Sequence, residues 1–368
     1  MIRILQCVNN MHRAGLETML MNYYRNVDRS KVQFDFLTHR PDRDDYDDEI
    51  ESLGGKIYRA PRLYPQNFPR YFKYMKQFFR EHPEYQIVHS HIDTMSYLPL
   101  LAAKKAGVSV RIAHSHSASI DLDVKYPMKQ CFRMLLPGVA THHLACGDKA
   151  GRFLFRGKSF EVIPNAVDGC NFFYDPAVRQ AKRHELNLED KTVIGHVGRF
   201  CYPKNHEFLI EVFAEIFKAR ADAVLMLVGT GEKEQAIKEL VAKMGLSDAV
   251  LFMGSCADVS SLYQAMDAFV MPSLFEGVPV VGVEAQFSGL SCVFSDRVTR
   301  EVEFSNRCAF LPLEQSAKSW AEHIIRILDQ KDQRCKAESD LFDVKNSHVL
   351  LENIYQQLST ADETGKCG

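Results

Sequence analysis

The sequence of 368 residues has no long apolar run and no cysteine pattern typical of a metal site. Nowhere do about 18 apolar residues follow one another, so the sequence predicts no membrane-spanning helix. The ten cysteines are scattered, without a Cys-x-x-Cys pair or a Cys/His cluster at zinc spacing. We interpret them as reduced thiols and expect a cytoplasmic protein, since disulfide frameworks belong to small secreted chains.

An excess of one charge is also missing, because 45 Lys and Arg residues stand against 47 Asp and Glu residues. The formal net charge of -2 gives no bulk attraction to nucleic acid, so we predict no nucleic-acid partner. The first residues, MIRILQCVNNMHRAG, contain one short apolar run and no small-residue cleavage site. They predict a first strand and not a signal peptide.

Short apolar runs rich in β-branched residues recur along the chain, and each precedes a longer stretch with helical spacing. Such runs indicate strands buried on both faces, and their alternation with helices predicts parallel sheets. The chain is also long for one core. We therefore predict an α/β fold of two facing, Rossmann-like, doubly wound domains. The predicted strands are 3–8, 33–38, 87–91, 110–114 and 142–146, then 192–197, 223–228, 250–253, 268–271 and 291–294.

The stretch 158–191 separates the two series of strands and suits a hinge, because it contains Pro164, Gly169 and Pro176 and then a charged run. We predict an N-terminal domain over residues 1–168 and a C-terminal domain over residues 169–342. Apolar residues at helical spacing predict a last helix near 343–360.

Ligands of such folds bind at the carboxyl ends of the strands. In GHVGRFCYPKNHEF, Arg199 follows a strand and Lys204 precedes Asn205, the predicted N-cap of a helix over 205–220. A cation at a helix N-terminus opposes the helix dipole unless an anion binds there. Arg199 and Lys204 therefore indicate either an anion site or two solvated surface cations.

Two glutamates mark the segment FEGVPVVGVEAQ. Pro279 suits the first turn of a helix and Gly289 its end, which places Glu276 in the preceding loop and Glu284 in the second turn. Burial of Glu284 is costly unless donors such as adjacent sugar or ribose hydroxyls meet it, although spacing alone also fits a capping or solvated face. Gly277 permits close approach of a ligand. The backbone amides at this helix start are those of Gly277, Val278 and Val280.

Histidines close two of the predicted strands, in VHSH and IAHSHSAS. Each His-x-His puts two imidazoles on one face of a strand, without a third ligand in reach. We therefore expect no metal and interpret the histidines as a polar lining of the cleft, with one of them touching substrate. Asp-x-Asp at 121–123 is a second weak metal motif, and GTGEKE at 229–234 lacks the third glycine of a dinucleotide fingerprint.

Two basic faces could rest on an anionic membrane surface or could simply be solvated. One interleaves cations with aromatic residues in PRYFKYMKQFFREH, and the other follows Lys125. Their basic residues are Arg70, Lys73, Lys76 and Arg80 in the first and Lys125, Lys129 and Arg133 in the second.

Four segments together resemble the retaining glycosyltransferases of the GT-B fold, in the large family that includes bacterial capsule and exopolysaccharide sugar transferases. They are GHVGRF with PKNH, LVGTGE, AMDAFVMPSLFEGVPVVGVEAQFSGL and VIPNAVD. The similarity extends over most of the chain and is strongest over residues 162–296. By the same resemblance, the last helix returns to the first domain.

The resemblance implies a role for each matching residue. Arg199 and Lys204 look like the pair that grips the donor diphosphate, Glu276 like the contact to the donor sugar and Glu284 like the contact to the ribose hydroxyls. Gly15 stands where the family's glycine-rich loop touches the diphosphate, although Ala14 replaces the usual first glycine. His116 looks like the histidine near the reacting sugar, with His114 second. His114 and His91 are the candidates on the acceptor side.

The activity implied is sugar transfer from a UDP- or GDP-sugar to a glycan or lipid-linked acceptor, with retained anomeric configuration and without a metal or other cofactor. Peripheral contact with the inner membrane face is part of the same expectation. A nucleotide-sugar epimerase and a non-catalytic nucleotide-sugar-binding protein remain alternatives on this fold. An NAD-dependent oxidoreductase is disfavoured by the incomplete glycine fingerprint.

Overall fold

The computed structural model describes residues 1–117, 119–120, 125–330, 334 and 336–365, with the backbone alone for residues 361–365. The chain forms two compact units. The first comprises Met1–Ala166 together with the residues from Val344 onward, and the second comprises Val167–Asp343. The Asp-x-Asp motif at 121–123 lies outside the described residues.

The first unit is built on a seven-stranded sheet in the order β3-β2-β1-β4-β5-β6-β7. All of its strand pairs are parallel, as expected for strands joined by helices. Its strands are β1 (Ile2–Cys7), β2 (Val32–Thr38), β3 (Ile57–Arg59), β4 (Ile87–Ser90), β5 (Val110–Ser115), β6 (His142–Ala145) and β7 (Glu161–Val162).

Six helices connect these strands, and a seventh arrives from the end of the chain. They are α1 (Gly15–Asn26), α2 (Asp47–Ser52), α3 (Phe68–Glu81), α4 (Tyr97–Lys105), α5 (Tyr126–Leu135), α6 (Asp148–Phe155) and α13 (Val344–Gly365). The last of them packs on α1 and β1. Its Tyr355 is fully buried, and the side-chain amide of Gln6 on β1 donates to the Tyr355 hydroxyl at 3.1 Å.

The second unit has a six-stranded parallel sheet in the order β10-β9-β8-β11-β12-β13. Trp320, the single tryptophan of the sequence, is fully buried in its core. The strands are β8 (Thr192–Val197), β9 (Ala223–Val228), β10 (Val250–Gly254), β11 (Ala268–Met271), β12 (Ser291–Ser295) and β13 (Cys308–Leu311), and the helices are α7 (Pro176–Glu185), α8 (His206–Ala219), α9 (Glu234–Lys243), α10 (Val259–Ala265), α11 (Val280–Phe287) and α12 (Ala317–Asp329).

The predicted fold class is confirmed, because both units are α/β structures with parallel sheets. All ten predicted strands are present, and β3, β7 and β13 are additional. The predicted hinge stretch is more ordered than expected, since it contains β7 and α7. Among the described residues, no helix combines the length and the apolar character that crossing a membrane requires.

Candidate functional site

Two loops of the second unit lie at the carboxyl ends of neighbouring strands. β8 stands between β9 and β11. The following strands therefore extend the sheet in opposite directions from β8, first β9 and β10 on one side and then β11, β12 and β13 on the other. This is the switch point at which open α/β sheets bind ligands. The loop 198–205 follows β8 and the loop 272–279 follows β11. The backbone N–H of Leu274 donates to Pro203 O at 2.8 Å, which joins the two loops.

An ion pair connects the same loops. Lys204 Nζ lies 2.6 Å from Glu276 Oε1, and the two side chains are 16% and 18% exposed. Sequence reasoning singled out both residues but placed them in different motifs. Lys204 is the last residue of a short 3-10 turn (Tyr202–Lys204) that precedes α8. Because Glu276 compensates its charge, Lys204 does not simply oppose the dipole of that helix.

The predicted N-cap position is confirmed, but the side chain there does not cap the helix. Asn205 is the residue before α8, but its side chain makes no cap hydrogen bond. It adopts a left-handed conformation (φ 55°), and its amide nitrogen donates to Pro272 O at 3.1 Å. Asparagine tolerates this conformation better than most residues. Asn205 therefore holds the two loops together instead of capping the helix.

Arg199 lies at the surface, beside a glycine turn that the sequence analysis had set aside. Its side chain is 70% exposed and pairs with Glu232 at 3.0 Å. Exposed pairs contribute little to stability, so Arg199 can reach an anion at low cost. The turn passes very close to this loop, because a Cβ built on Gly231 would lie 2.4 Å from Phe200 O. The glycines of GTGE thus allow close contact with the Arg199 loop, which gives them a packing reason.

Glu284 is buried in α11, with 7% of its surface exposed. The hydroxyl of Tyr263 donates to Glu284 Oε2 at 2.9 Å. Burial raises the pKa of Glu284 from 4.5 to about 7, and the Tyr263 hydrogen bond opposes part of that rise. The adjacent Gly282 has a packing reason, because a Cβ there would meet the Phe294 ring at 3.1 Å.

The helix carrying Glu284 begins one residue later than the sequence suggested. Pro279 is the N-cap of α11 and Val280 its first residue. Gly289 follows the C-cap with φ 67°, as predicted. Amides in the first turn of a helix have no acceptor within the helix, so the amide of Val280 and the preceding loop with Gly277 and Val278 lie at the positive end of α11.

Two buried histidines near Lys204 were missed by the sequence analysis. His196 Nδ1 lies 2.8 Å from Val270 O, and the His206 ring stacks on Phe200 with centroids 4.3 Å apart. Burial, followed by the charge of Lys204, lowers the pKa of His206 to about 3. Both imidazoles are therefore neutral near pH 7, and the positive charge in this region resides on Lys204. No sequence spacing could reveal this arrangement.

The first unit brings four histidines together, which corrects the expectation that no third ligand is in reach. Ser90 and Ala113 are paired neighbours on β4 and β5, so the two His-x-His motifs lie side by side. His89 Nε2 lies 3.2 Å from His114 Nδ1, and His91 Nδ1 lies 3.0 Å from His116 Nε2. Each strand alone offers two imidazoles, but neighbouring strands offer four.

The histidines predicted to face substrate differ in exposure. His91 and His114 are buried, and His116 is partly exposed. Burial, and then the neighbouring imidazoles, hold the pKa of His91 and His114 well below 6.5. Gly15 is the exposed first residue of α1 and has an ordinary helical conformation. The backbone conformation therefore does not require glycine at position 15, which leaves close approach of a ligand as a reason for it.

The two parallel-sheet α/β units have the GT-B fold, and comparison with known proteins gives the family. The crystal structure of Anabaena Alr3699/HepE in complex with UDP-glucose matches with a TM-score of 0.77, covering 99% of this chain and 100% of that one at 18% identity. Residues 13–169 match the family described as Glycosyltransferase Family 4, and residues 191–330 match Glycosyl transferases group 1.

Curated relatives extend this result. The putative glycosyltransferase EpsF of Bacillus subtilis is 38% identical over 88% of this chain and 87% of its own length. The capsular polysaccharide biosynthesis glycosyltransferase CapH of Staphylococcus aureus is 25% identical over 96% and 99%. An Escherichia coli UDP-Gal:alpha-D-GlcNAc-diphosphoundecaprenol alpha-1,3-galactosyltransferase is 27% identical over 67% of each chain. The chain therefore belongs to the glycosyltransferase family of these relatives.

Proposed function

We propose that this protein transfers a sugar from a UDP- or GDP-sugar to a glycan or lipid-linked acceptor in surface polysaccharide biosynthesis, with retention of the anomeric configuration. The ion pair between Lys204 and Glu276 carries the proposal. In a nucleotide sugar, the sugar ring is attached directly to the diphosphate. A cation for the phosphate and a carboxylate for the sugar hydroxyls must therefore be neighbours, and these two groups are in contact.

The remaining groups of the second unit suit the rest of a nucleotide sugar. Arg199 supplies a second, mobile cation for the diphosphate, and the start of α11 at Val280 offers amides at the positive end of a helix dipole. The carboxylate of Glu284 suits two adjacent ribose hydroxyls, which would donate to it. In the first unit, we propose that Gly15 contacts the diphosphate and that His116 lies near the reacting sugar, as the resemblance implies.

The chemical step creates negative charge on the departing diphosphate. Lys204, Arg199 and the α11 amides are preorganised donors for that charge, so we propose that transfer needs no metal. Glu276 is paired with Lys204, which suits sugar binding and not the free nucleophilic carboxylate of a retaining glycosidase. We propose that the acceptor hydroxyl attacks from the face that the diphosphate leaves.

The names of two relatives support the proposed role in polysaccharide biosynthesis and the proposed acceptor. CapH is named for capsular polysaccharide biosynthesis. The E. coli relative is named for a UDP-sugar donor and an acceptor sugar on diphosphoundecaprenol. A lipid-linked acceptor at the inner membrane face is accordingly the acceptor class that we propose.

Binding and product formation test this function directly. Calorimetry with a panel of UDP- and GDP-sugars is expected to show binding of one of them. With that donor, a diphosphoundecaprenol-linked acceptor should be extended in the presence of excess EDTA. NMR of the product should show the donor's anomeric configuration. Glu284→Ala should weaken nucleotide binding by about 10- to 100-fold, because hydrogen bonds to a charged group are lost.

The alternatives give different outcomes in the same assay. An epimerase would change the donor sugar without an acceptor, and a non-catalytic protein would bind the donor without forming product. If no nucleotide sugar binds, or if Glu284→Ala and Arg199→Ala both leave binding unchanged, the proposed donor site is wrong. Glu239→Gln, an exposed carboxylate on α9, serves as the control substitution.

A basic surface on the first unit fits the proposed acceptor. Helix α3 buries Tyr71, Met75, Phe78 and Phe79 and exposes Arg70, Lys73, Lys76 and Arg80. On α5, Met134 is 64% exposed and Leu135 is 46% exposed. Exposed cations such as those of α3 and exposed apolar side chains such as those of α5 are typical of surfaces that rest on anionic lipid. The predicted second basic face is less exposed, since Lys125, Lys129 and Arg133 are half-buried. We propose peripheral membrane contact through α3 and α5.

Vesicle flotation tests the membrane contact. We expect the protein to float with vesicles containing anionic lipid at low salt and to be released at high salt. Lys73→Glu with Lys76→Glu should lower the bound fraction by at least about tenfold, since each cation contributes about 1 kcal/mol near such a surface. Lys238→Glu with Lys243→Glu, on the second unit, should leave flotation unchanged. If the protein bound equally well to neutral vesicles, electrostatic attraction to anionic lipid would not explain the membrane contact.

A further inference from the structure

We propose that the histidine cluster of the first unit (His89, His91, His114 and His116) binds a first-row transition cation such as Zn²⁺. The cluster lies in the first unit, and the proposed transfer assigns no role to His89, His91 or His114, whereas His116 is the residue proposed above to contact the reacting sugar. Three of these residues, His89, His91 and His114, each offer a nitrogen atom within 4.8 Å of those of the others.

The spacing of the nitrogen atoms matches a metal site. His89 Nε2 and His114 Nδ1 are 3.2 Å apart, and His91 Nδ1 and His116 Nε2 are 3.0 Å apart. Two imidazole nitrogens on one tetrahedral Zn²⁺, each about 2.0–2.1 Å from the ion, are about 3.3 Å from each other. Within each pair, a cation could therefore replace the hydrogen bond at nearly the same nitrogen separation, while the rings of His89, His91 and His114, whose nitrogens lie within 4.8 Å of one another, must draw together to bind one ion.

The outer nitrogens of two of these histidines are already held. His89 Nδ1 lies 2.7 Å from the Tyr355 hydroxyl, and His91 Nε2 lies 2.8 Å from Gln6 Oε1. Oxygen acceptors at this position fix the ring so that its opposite nitrogen presents a lone pair, which is the second shell typical of metal-binding histidines. Gln6 also donates to Tyr355, so a single hydrogen-bonded framework supports both ligands.

The cluster has unused polar atoms and a ligand set that selects among cations. Among the described residues, His114 Nε2 and His116 Nδ1 are buried without a hydrogen-bond partner. Leaving these atoms unpaired is costly, although they are the ring nitrogens opposite those that form the two pairs above. Imidazole nitrogens suit Zn²⁺, Cu²⁺ and Ni²⁺, whereas Mg²⁺ and Ca²⁺ require oxygen ligands. His116, beside His91, or a water could occupy the fourth position.

Metal binding by the full chain tests this site without any sugar nucleotide. The protein is freed of metal with EDTA, desalted and titrated with Zn²⁺ in competition with a chromophoric chelator. We expect one tight Zn²⁺ per chain. His114→Gln should weaken binding by at least about 100-fold, and Tyr355→Phe, which removes a second-shell oxygen, by about 10- to 100-fold. His184→Gln, an exposed imidazole in the second unit, should have no effect.

A measurement on the unaltered protein covers variants that fail to fold. Co²⁺ in place of Zn²⁺ should give the intense visible absorption of a four-coordinate ion, and added Zn²⁺ should abolish it. Weak absorption typical of six-coordinate Co²⁺ would overturn the proposal. So would Zn²⁺ binding that His114→Gln and His184→Gln weaken equally. Mg²⁺ in excess should displace nothing, and neither result depends on glycosyltransferase activity.

Discussion

Replacing Lys204 with alanine is expected to lower kcat/KM for sugar transfer by about 10²–10³-fold, the loss typical of removing one preorganised donor from a developing charge. Lys204 is 16% exposed, so solvent screens its charge weakly. The substitution also leaves Glu276 without its partner, which should destabilise the protein by about 1–3 kcal/mol. The rate is measured with the donor identified by the binding panel, under single-turnover conditions.

A double substitution separates the two effects. Lys204→Met with Glu276→Gln removes both charges, so it should recover stability but not transfer. Lys238→Ala, a lysine in an exposed pair with Glu234, is the control and should retain full activity. If the double variant transfers sugar at the wild-type rate, Lys204 and Glu276 serve stability and not catalysis.

Glu284→Gln is expected to stabilise the protein at high pH. The carboxyl has a pKa of about 7 in the folded state and 4.5 as a free group. Between these values the folded state holds a proton that the unfolded state has lost, so stability falls as pH rises through this window. Glu284 therefore lowers the free energy of unfolding by about 3 kcal/mol above pH 7 and by less than about 1 kcal/mol at pH 5.

Urea unfolding at pH 5 and pH 8 measures this difference. Trp320 lies in the same unit as Glu284, so its fluorescence reports the relevant transition. The gain from Glu284→Gln should be close to 3 kcal/mol at pH 8 and small at pH 5. Glu239→Gln should change neither. A gain that is equal at both pH values would show that Glu284 is already ionised in the folded protein.

The same carboxyl should make nucleoside binding depend on pH. Ribose hydroxyls donate to the ionised form, so affinity for uridine or guanosine should rise about tenfold between pH 6 and pH 8. A nucleoside is the suitable probe because it carries no phosphate that titrates in this range. Glu284→Gln should bind weakly and without pH dependence. A flat profile for the unaltered protein would argue against ribose recognition by Glu284.

Strong local patterns made most of the fold predictable. Buried parallel strands such as 223–228 are continuous apolar runs, so their pattern identifies them directly. The strands that were missed lack this pattern: β3 has three residues, β7 is a pair of exposed residues, and β13 is a partly buried strand at the sheet edge. Neighbouring strands define them more than their own sequence does.

The candidate site was predictable as residues but not as contacts. Lys204 and Glu276 belong to different motifs, and they meet because β8 and β11 are neighbours in the sheet. The histidine cluster depends in the same way on the pairing of β4 with β5. Spacing along one strand cannot show which strand lies beside it. The order of strands, which long-range packing decides, was therefore the missing information.

Helix α13 means that the first unit is made from two separate segments of the chain. The second unit is encoded continuously and can fold while translation proceeds. The first unit must wait for the last helix to be synthesised, because Tyr355 fills its core beside Gln6 and His89. A nonsense mutation just before the codon for Val344 would therefore spare the adjacent unit and damage the one that was translated first.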